Sequence, residues 1–123
     1  MLSLLCAQPT DIRFAAVVVC VGGHGGLGKL LVRGSIPCRG ITNIGLCAIG
    51  LGCPYLRVLS LWNCPLVGDA GLAAIEKGCK LLEKLDLCKC PWIGDKGLES
   101  VAVNCPNLLT LNLESCPRWE RSP

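Results

Sequence analysis

The fold is decided by residues 53–75, which read CPYLRVLSLWNCPLVGDAGLAAI. Residues 79–101, CKLLEKLDLCKCPWIGDKGLESV, repeat the pattern 26 positions later, and residues 105–116, CPNLLTLNLESC, begin it a third time. Cysteines and leucines recur at this interval, and a Gly-Asp-x-Gly-Leu sequence is shared by the first two copies. So many matches at one spacing indicate that the chain repeats a single structural unit.

Each unit combines two periodicities. The alternation in LSL (59–61) predicts a short strand whose two leucines share one face. After the Cys-Pro pair (64–65) the apolar residues, among them Leu72 and Ile75, fall at helical spacing. Asp69 is placed to cap this helix or to lie in its first turn, near the positive end of the helix dipole. The unit therefore predicts a strand, a turn, a helix and a return turn.

The predicted helices end at residue types that favour a left-handed, helix-closing conformation. Spaced 26 positions apart, these residues are Gly52, Gly78 and Asn104. Two degenerate copies lie upstream: residues 42–49 align with 68–75, and residues 10–17 match the helix pattern again. The strand at about 27–33 precedes its counterpart by 29 positions, which places three extra residues in the loop around 35–40.

These observations predict the architecture. We expect a right-handed α/β solenoid of about four partial repeats. Four short parallel strands would lie on its concave side and the helices outside.

Composition narrows the possible functions. The 123 residues allow one ordinary domain, and a scattered net charge of +3 is too weak for a nucleic-acid footprint. Eleven cysteines would suit a secreted disulfide scaffold, but six of them keep the 26-residue interval. Stacked coils would bury these six as small apolar side chains. We therefore expect reduced structural thiols in an intracellular protein, with Cys88 as an outward-facing, reactive exception.

The sequence predicts neither a metal site nor a catalytic site. Zinc generally requires C-x₂₋₄-C pairs, a spacing that is not formed by Cys79, Cys88 and Cys90. The glycine run at 22–29 imitates nucleotide-binding motifs, but Leu30 stands where a phosphate loop needs Ser or Thr, and the predicted helix precedes the strand. His24 has no partnered nucleophile at a compatible spacing. We expect no cofactor and no enzymatic activity.

A 26-residue unit with L-x-x-L-x-L-x-x-C falls in the leucine-rich repeat class. Its continuation, C-P-x-[VI]-x-D-x-G-L, resembles the cysteine-containing subtype found in F-box proteins. The chain is similar in particular to plant F-box proteins that bind ethylene-response transcription factors. The stretches that carry this resemblance are GGLGKLLVRGS (25–35), ITNIGLCAIGLGCP (41–54), LRVLSLWNCPLVGDAGLAAI (56–75), LLEKLDLCKCPWIGDKGL (81–98) and NCPNLLTLNLESC (104–116).

The resemblance implies a role in protein recognition within a cullin-based ubiquitin ligase of the SCF type. In such relatives the F-box docks on an adaptor, and the repeats hold a nuclear transcription factor for ubiquitin-dependent degradation. No F-box segment precedes the repeats here, so adaptor and cullin contact is not expected from this chain. A truncated, non-functional fragment and a decoy that binds the substrate without recruiting the ligase are the alternatives. The expected location is the nucleus or the cytoplasm, without membrane or nucleic-acid contact.

The expected organisation is a block of repeats at 10–117, flanked by segments 1–9 and 118–123 that do not fit the pattern. Solenoids usually carry polar caps over their end repeats. None is recognisable in the sequence, so we expect self-association through uncapped ends.

Candidate binding residues are those that the repeat leaves variable. On each strand the residues flanking the inward leucines would point to the concave face, which extended repeat proteins use for binding. Their mixture of charges with one large aromatic suits a protein surface better than a phosphate site. The alternative is a solvated face on which the aromatic side chain is partly packed. The candidates are Arg33, Arg57, Ser60, Trp62, Lys84, Asp86, Asn112 and Glu114.

Overall fold

Strands and helices alternate along the computed structural model, which describes residues 2–5, 27–33 and 37–113. The strands in these residues are β1 (Leu2–Leu5), β2 (Leu27–Arg33), β3 (Val58–Trp62), β4 (Lys84–Cys88) and β5 (Thr110–Asn112). The helices are α1 (Asn43–Gly52), α2 (Asp69–Gly78) and α3 (Asp95–Asn104). The helix predicted at 10–17 lies outside the described residues. None of the described helices is long and apolar enough to span a bilayer.

The described strands form one parallel sheet in the order β1-β2-β3-β4-β5. Its register follows the sequence repeat, since Leu59 pairs with Leu85 and Leu85 pairs with Leu111. The four predicted strands are confirmed as β2 to β5, and β1 adds a fifth, unpredicted strand beside β2. The alternation of Leu2 and Leu4 around a serine is the same signal as in the later strands. Part of the segment at 1–9 therefore continues the sheet.

A helix returns the chain between consecutive parallel strands from β2 onward, which is the α/β arrangement that the repeat predicts. Parallel strand–helix–strand connections are right-handed as a rule. A right-handed coil therefore remains the expectation for this stack.

The core lies between the sheet and the helices and uses the repeated positions. Leu59 and Leu61 of β3 are fully buried, as are Leu72 and Ile75 of α2, and all belong to one apolar cluster. Burying one such side chain contributes about 1.5–3 kcal/mol relative to leaving it exposed. At the last described strand the cover is thinner, since Leu111 is 39% exposed. The stability of the stack thus comes mainly from its central units.

The starts of α2 and α3 are each tied to the unit before them, whereas α1 is capped by its own Thr42, whose hydroxyl accepts from the N–H of Ile44 at 3.2 Å. Asn43 Oδ1, at the start of α1, accepts hydrogen bonds from the backbone N–H groups of Gly68 and Gly71 at 2.9 and 3.1 Å. Asp69 Oδ1, at the start of α2, accepts one from the N–H of Gly94 at 2.8 Å. Asp69 lies in the first turn of its own helix, as predicted, but it caps the following one.

These contacts explain the second glycine of the Gly-Asp-x-Gly-Leu sequence. A Cβ on Gly71 would lie only 2.7 Å from Asn43 Oδ1, and a Cβ on Gly97 would overlap with Asp69 Oδ1. A larger residue at either position would displace the capping side chain. The motif therefore encodes a contact between units.

The helices end at the predicted residues but in a different conformation. Each closes with a cysteine whose backbone N–H donates to the carbonyl four residues earlier and whose φ lies between −127° and −108°; these are Cys53, Cys79 and Cys105. The prediction of left-handed closure was wrong for Gly78 and Asn104, neither of which has a positive φ. Left-handed backbone occurs instead where the chain leaves the strands, at Asn63 and Lys89, with φ of 57° and 56°.

Glycine at the end of α2 is required by packing. A Cβ on Gly78 would overlap with the backbone carbonyl of Gly50, so α1 and α2 meet backbone to backbone. The same positions, 26 residues on, hold Glu76 and Asn104. Their side chains form a hydrogen bond of 3.5 Å between α2 and α3. Helices α1 and α2 thus pack through glycine backbones, whereas α2 and α3 are joined by a polar contact between side chains.

The spacing of the two layers determines how the stack bends. Neighbouring strands lie about 4.8 Å apart, whereas packed helices usually lie about 8–10 Å apart. A stack with both layers therefore curves with the strands on its inner side. We call the sheet surface opposite the core the open face; on the two central strands it consists of Val58, Ser60, Trp62, Lys84, Asp86 and Cys88.

The contact between α1 and α2 predicts the effect of Gly78→Ala. Helix propensity alone would make this change stabilising by up to about 1 kcal/mol. We expect it instead to lower the free energy of unfolding by about 1–3 kcal/mol, because the added methyl group overfills a backbone contact. Denaturant titration measures the change, and Lys77→Ala at the neighbouring exposed position should stay within about 0.5 kcal/mol. A more stable Gly78→Ala variant would contradict the close approach.

Candidate protein-binding surface

The register of the sheet arranges the open face in three rows that cross the strands. One row contains Lys29, Val58, Lys84 and Thr110. The middle row contains Leu31, Ser60, Asp86 and Asn112. The third contains Arg33, Trp62 and Cys88. Most of the predicted binding residues therefore lie on this face.

A hydrogen-bonded polar cluster occupies the centre of the open face. Ser60 is fully buried and Asp86 is 4% exposed, although both lie on the side away from the core. Asp86 Oδ2 accepts hydrogen bonds from the Ser60 hydroxyl at 3.1 Å and from the Trp62 indole N–H at 3.0 Å. The indole is half-buried and is joined to the neighbouring strand by this bond. Ser60 and Asp86 are thus parts of a support for Trp62.

The periphery of the face remains accessible. Lys29 and Thr110 are exposed, and Val58 and Lys84 are half-buried. Asn112 in β5 is also exposed. These side chains surround the cluster and can meet a partner directly.

Arg57 lies at the edge of the open face, one residue before β3. Its guanidinium Nε is 3.8 Å from a carboxylate oxygen of Glu83, and the two side chains are 48% and 41% exposed. An exposed pair at this distance contributes little stability. A partner could therefore compete for Arg57 at small cost.

Of the predicted binding residues, Arg33 is described by its backbone alone and Glu114 is not described. The backbone of Arg33 pairs with that of Trp62, which puts this position in the third row. Glu114 lies outside the described residues. Their proposed contacts stay predictions.

Cysteine thiols form two columns that run across the repeats. In the turns after the strands, Cys90 Sγ lies 3.4 Å from the carbonyl oxygen of Leu61 in the preceding unit. At the helix exits, Cys79 Sγ lies 3.3 Å from the carbonyl oxygen of Cys53. The buried thiols of Cys64, Cys79, Cys90 and Cys105 are free, in agreement with the predicted structural role.

The sequence interpretation missed one member of the first column. Cys38 lies 26 positions before Cys64 and packs against the same core cluster. The three extra residues of this unit precede Cys38, so the cysteine itself is in register with those that follow. The 26-residue interval was sufficient to find it.

The environments of three buried thiols, those of Cys64, Cys79 and Cys105, favour the protonated form, whereas the hydrogen bond with Cys64 lowers the pKa of Cys90. Burial, reinforced by neighbouring thiols, raises the pKa of Cys79 from 9.0 to about 12. A hydrogen bond with Cys90, followed by burial, raises the pKa of Cys64. Burial and the negative charge of Glu76 raise the pKa of Cys105. Because the thiolate is the nucleophile and metal ligand, these cysteines are unreactive in the folded chain.

Three other features were considered as candidate sites: a metal site, the glycine run with His24, and the thiol of Cys88. In the part of the chain that the structure describes, no group of three or more His, Cys, Asp or Glu side chains is placed to hold a metal ion. Most of the glycine run at 22–29, including His24, lies outside that part. Cys88 lies on the open face and is half-buried, so its reactivity stays a prediction.

The described residues form stacked strand–helix units with an accessible sheet surface, the arrangement that extended repeat proteins use for binding. A family model described as Leucine Rich repeat matches residues 52–75 and 78–102. These segments contain β3 with α2 and β4 with α3. The match confirms the predicted leucine-rich-repeat region at the centre of the chain, and repeats of this class generally serve as protein-interaction modules.

Removing the carboxylate of Asp86 tests the support of Trp62. We expect Asp86→Ala to lower the free energy of unfolding by about 1–3 kcal/mol, because two donors lose their acceptor. The emission of Trp62 should shift to longer wavelength, measured with Trp92 and Trp119 replaced by Phe. Asp86→Asn keeps one acceptor oxygen and should lower the free energy of unfolding by less than Asp86→Ala does. Glu83→Ala, which removes the exposed ion pair, should cost no more than about 1 kcal/mol.

The raised pKa of Cys79 predicts an alkaline loss of stability. Above pH 9.0 this thiol ionises in the unfolded chain but stays protonated in the folded chain up to about pH 12. The unfolded state then binds fewer protons, so rising pH favours unfolding by about 1 kcal/mol per pH unit from this group. Denaturant midpoints measured between pH 7 and 11 should fall less steeply for Cys79→Ala than for the unmodified chain. Cys47→Ala, at an exposed position, should leave the slope unchanged.

Proposed function

We propose that the chain recognises a protein through the open face, with Trp62 as the anchoring side chain. The observation that carries this proposal is the hydrogen bond between the Trp62 indole and Asp86 on the neighbouring strand. Tryptophan is enriched among the residues that dominate binding energy at protein interfaces. An indole already held in place loses little conformational entropy when a partner covers it.

The finer proposal follows from the resemblance. We propose that the repeats correspond to the substrate-binding part of an SCF-type ubiquitin ligase receptor, and that the bound protein is a transcription factor of the ethylene-response type. The chain would then act in the plant nucleus or cytoplasm. It would hold the substrate rather than catalyse a reaction, and it would use no cofactor. Adaptor recruitment would belong to an F-box segment.

A pull-down from plant nuclear extract tests both levels of this proposal. Three forms of the full chain serve as bait: the unmodified chain, Trp62→Ala and Trp92→Ala. Trp92 is 62% exposed in the turn between β4 and α3, so it controls for the loss of a large aromatic away from the open face. Captured proteins are identified by mass spectrometry, and ethylene-response transcription factors are probed directly with antibodies.

We expect a partner that is retained by Trp92→Ala and reduced at least 10-fold by Trp62→Ala, the loss typical of a central interface aromatic. Equal capture by all three baits would contradict the use of the open face. A Trp62-dependent partner outside the ethylene-response class would leave protein recognition standing and overturn the ligase assignment.

A further inference from the structure

Two lysines on the open face form no ion pair with any acidic side chain that the structure describes. Lys29 of β2 and Lys84 of β4 flank Val58 of β3 in one row of the sheet. Among the described residues neither lysine lies within ion-pair distance of a carboxylate, since the one ion pair at this edge joins Arg57 to Glu83. Both ammonium groups are therefore available to an incoming ligand.

The acidic residue on the same strand and face as Lys84 has other hydrogen-bond partners. Asp86 follows Lys84 by two residues on the same strand, but its Oδ2 accepts from Ser60 and Trp62, and the residue is 4% exposed. The accessible part of the row therefore presents an apolar side chain with one positive charge on each side of it. Strand spacing sets the separation of the Lys29 and Lys84 Cα atoms at about 10 Å.

Resting on the function proposed above, we propose that the open face binds an acidic protein segment in which two carboxylates flank an apolar residue. The segment runs across the strands in an extended conformation. Its apolar side chain covers Val58, and its carboxylates pair with Lys29 and Lys84. In an extended chain the residues i, i+2 and i+4 face one side, and the outer two lie about 13 Å apart. Long lysine side chains span the small difference from the 10 Å between their Cα atoms.

Nucleic acid fits this row less well. A phosphate backbone would bring one charge per residue onto a row that offers two cations with an apolar side chain between them. Val58 would then be covered without an apolar contact. The acidic protein segment satisfies both lysines and the valine together.

The test uses synthetic peptides and the full chain labelled with ¹⁵N. The probe contains Glu-Ser-Leu-Ser-Glu between Gly-Ser linkers. Two matched peptides replace both glutamates by Gln or by Lys, and a 12-nucleotide single-stranded RNA represents the competing ligand class. Amide resonances are followed during titration, because this measurement detects weak binding and reports where the ligand lies.

We expect the glutamate peptide to shift the amides of Lys29, Val58 and Lys84. Its dissociation constant should rise several-fold between 50 and 500 mM salt, because exposed charge pairs are screened. Lys29→Gln and Lys84→Gln should each weaken binding about 2- to 5-fold. Lys96→Gln, on the exposed surface of α3, should leave it unchanged. The amide spectrum of each variant shows whether it is folded.

The remaining outcomes distinguish this inference from the broader function. Equal binding of the Gln or Lys peptide overturns the acidic segment, as does preferential binding of the RNA or no binding of the glutamate peptide to folded chain. If a Trp62-dependent protein partner is nevertheless captured from extract, protein recognition by the open face stands without this chemistry. If the glutamate peptide binds but Trp62→Ala loses no partner, the lysine row binds independently of the proposed anchor.

Discussion

Every unit of this protein must satisfy two spacings at once, and the rest of the structure follows from that constraint. The parallel ladder holds neighbouring strands about 4.8 Å apart, and the helices behind them must pack without separating the ladder. Between α1 and α2 the requirement is met by Gly50 and Gly78, whose backbones touch. Between α2 and α3 it is met by the hydrogen bond of Glu76 with Asn104. Since the strands are the more closely spaced layer, we expect them on the inner side of the curve, where a ligand could contact several units together.

The open face combines a rigid centre with a more adaptable periphery. At its centre, Ser60, Asp86 and Trp62 form a hydrogen-bonded polar cluster that joins two strands. Around it, Lys29 and Lys84 keep long side chains that lose conformational freedom only when they are bound. This division is typical of interfaces in which a preorganised aromatic contributes affinity and charged side chains select the partner.

Much of the fold could be predicted because its signals are periodic. The L-x-L alternation located β3 and β4, and the positions of Gly52, Gly78 and Asn104 located the helix ends. Repetition indicates which positions are equivalent, but it does not indicate what each position contacts. The position of Asp69 in the first turn of its own helix was predicted, but not that its carboxylate caps the next helix. Ser60 and Asp86 were assigned to an accessible surface, although both are buried. The features that were not predicted are contacts between residues 24 to 26 positions apart in neighbouring units, and a repeat pattern does not specify such contacts.

The capping contacts also give the chain a direction. Asn43 caps the start of α2, and Asp69 caps the start of α3, so each of these two helices depends on the unit that precedes it in sequence. A ribosome releases the units in this same order, and each new helix therefore meets its cap already in place. Loss of a unit from the amino-terminal side would leave its successor without a cap, whereas loss from the carboxyl-terminal side would remove none of the caps that remain. The stack is thus suited to growth and assembly from its amino-terminal end.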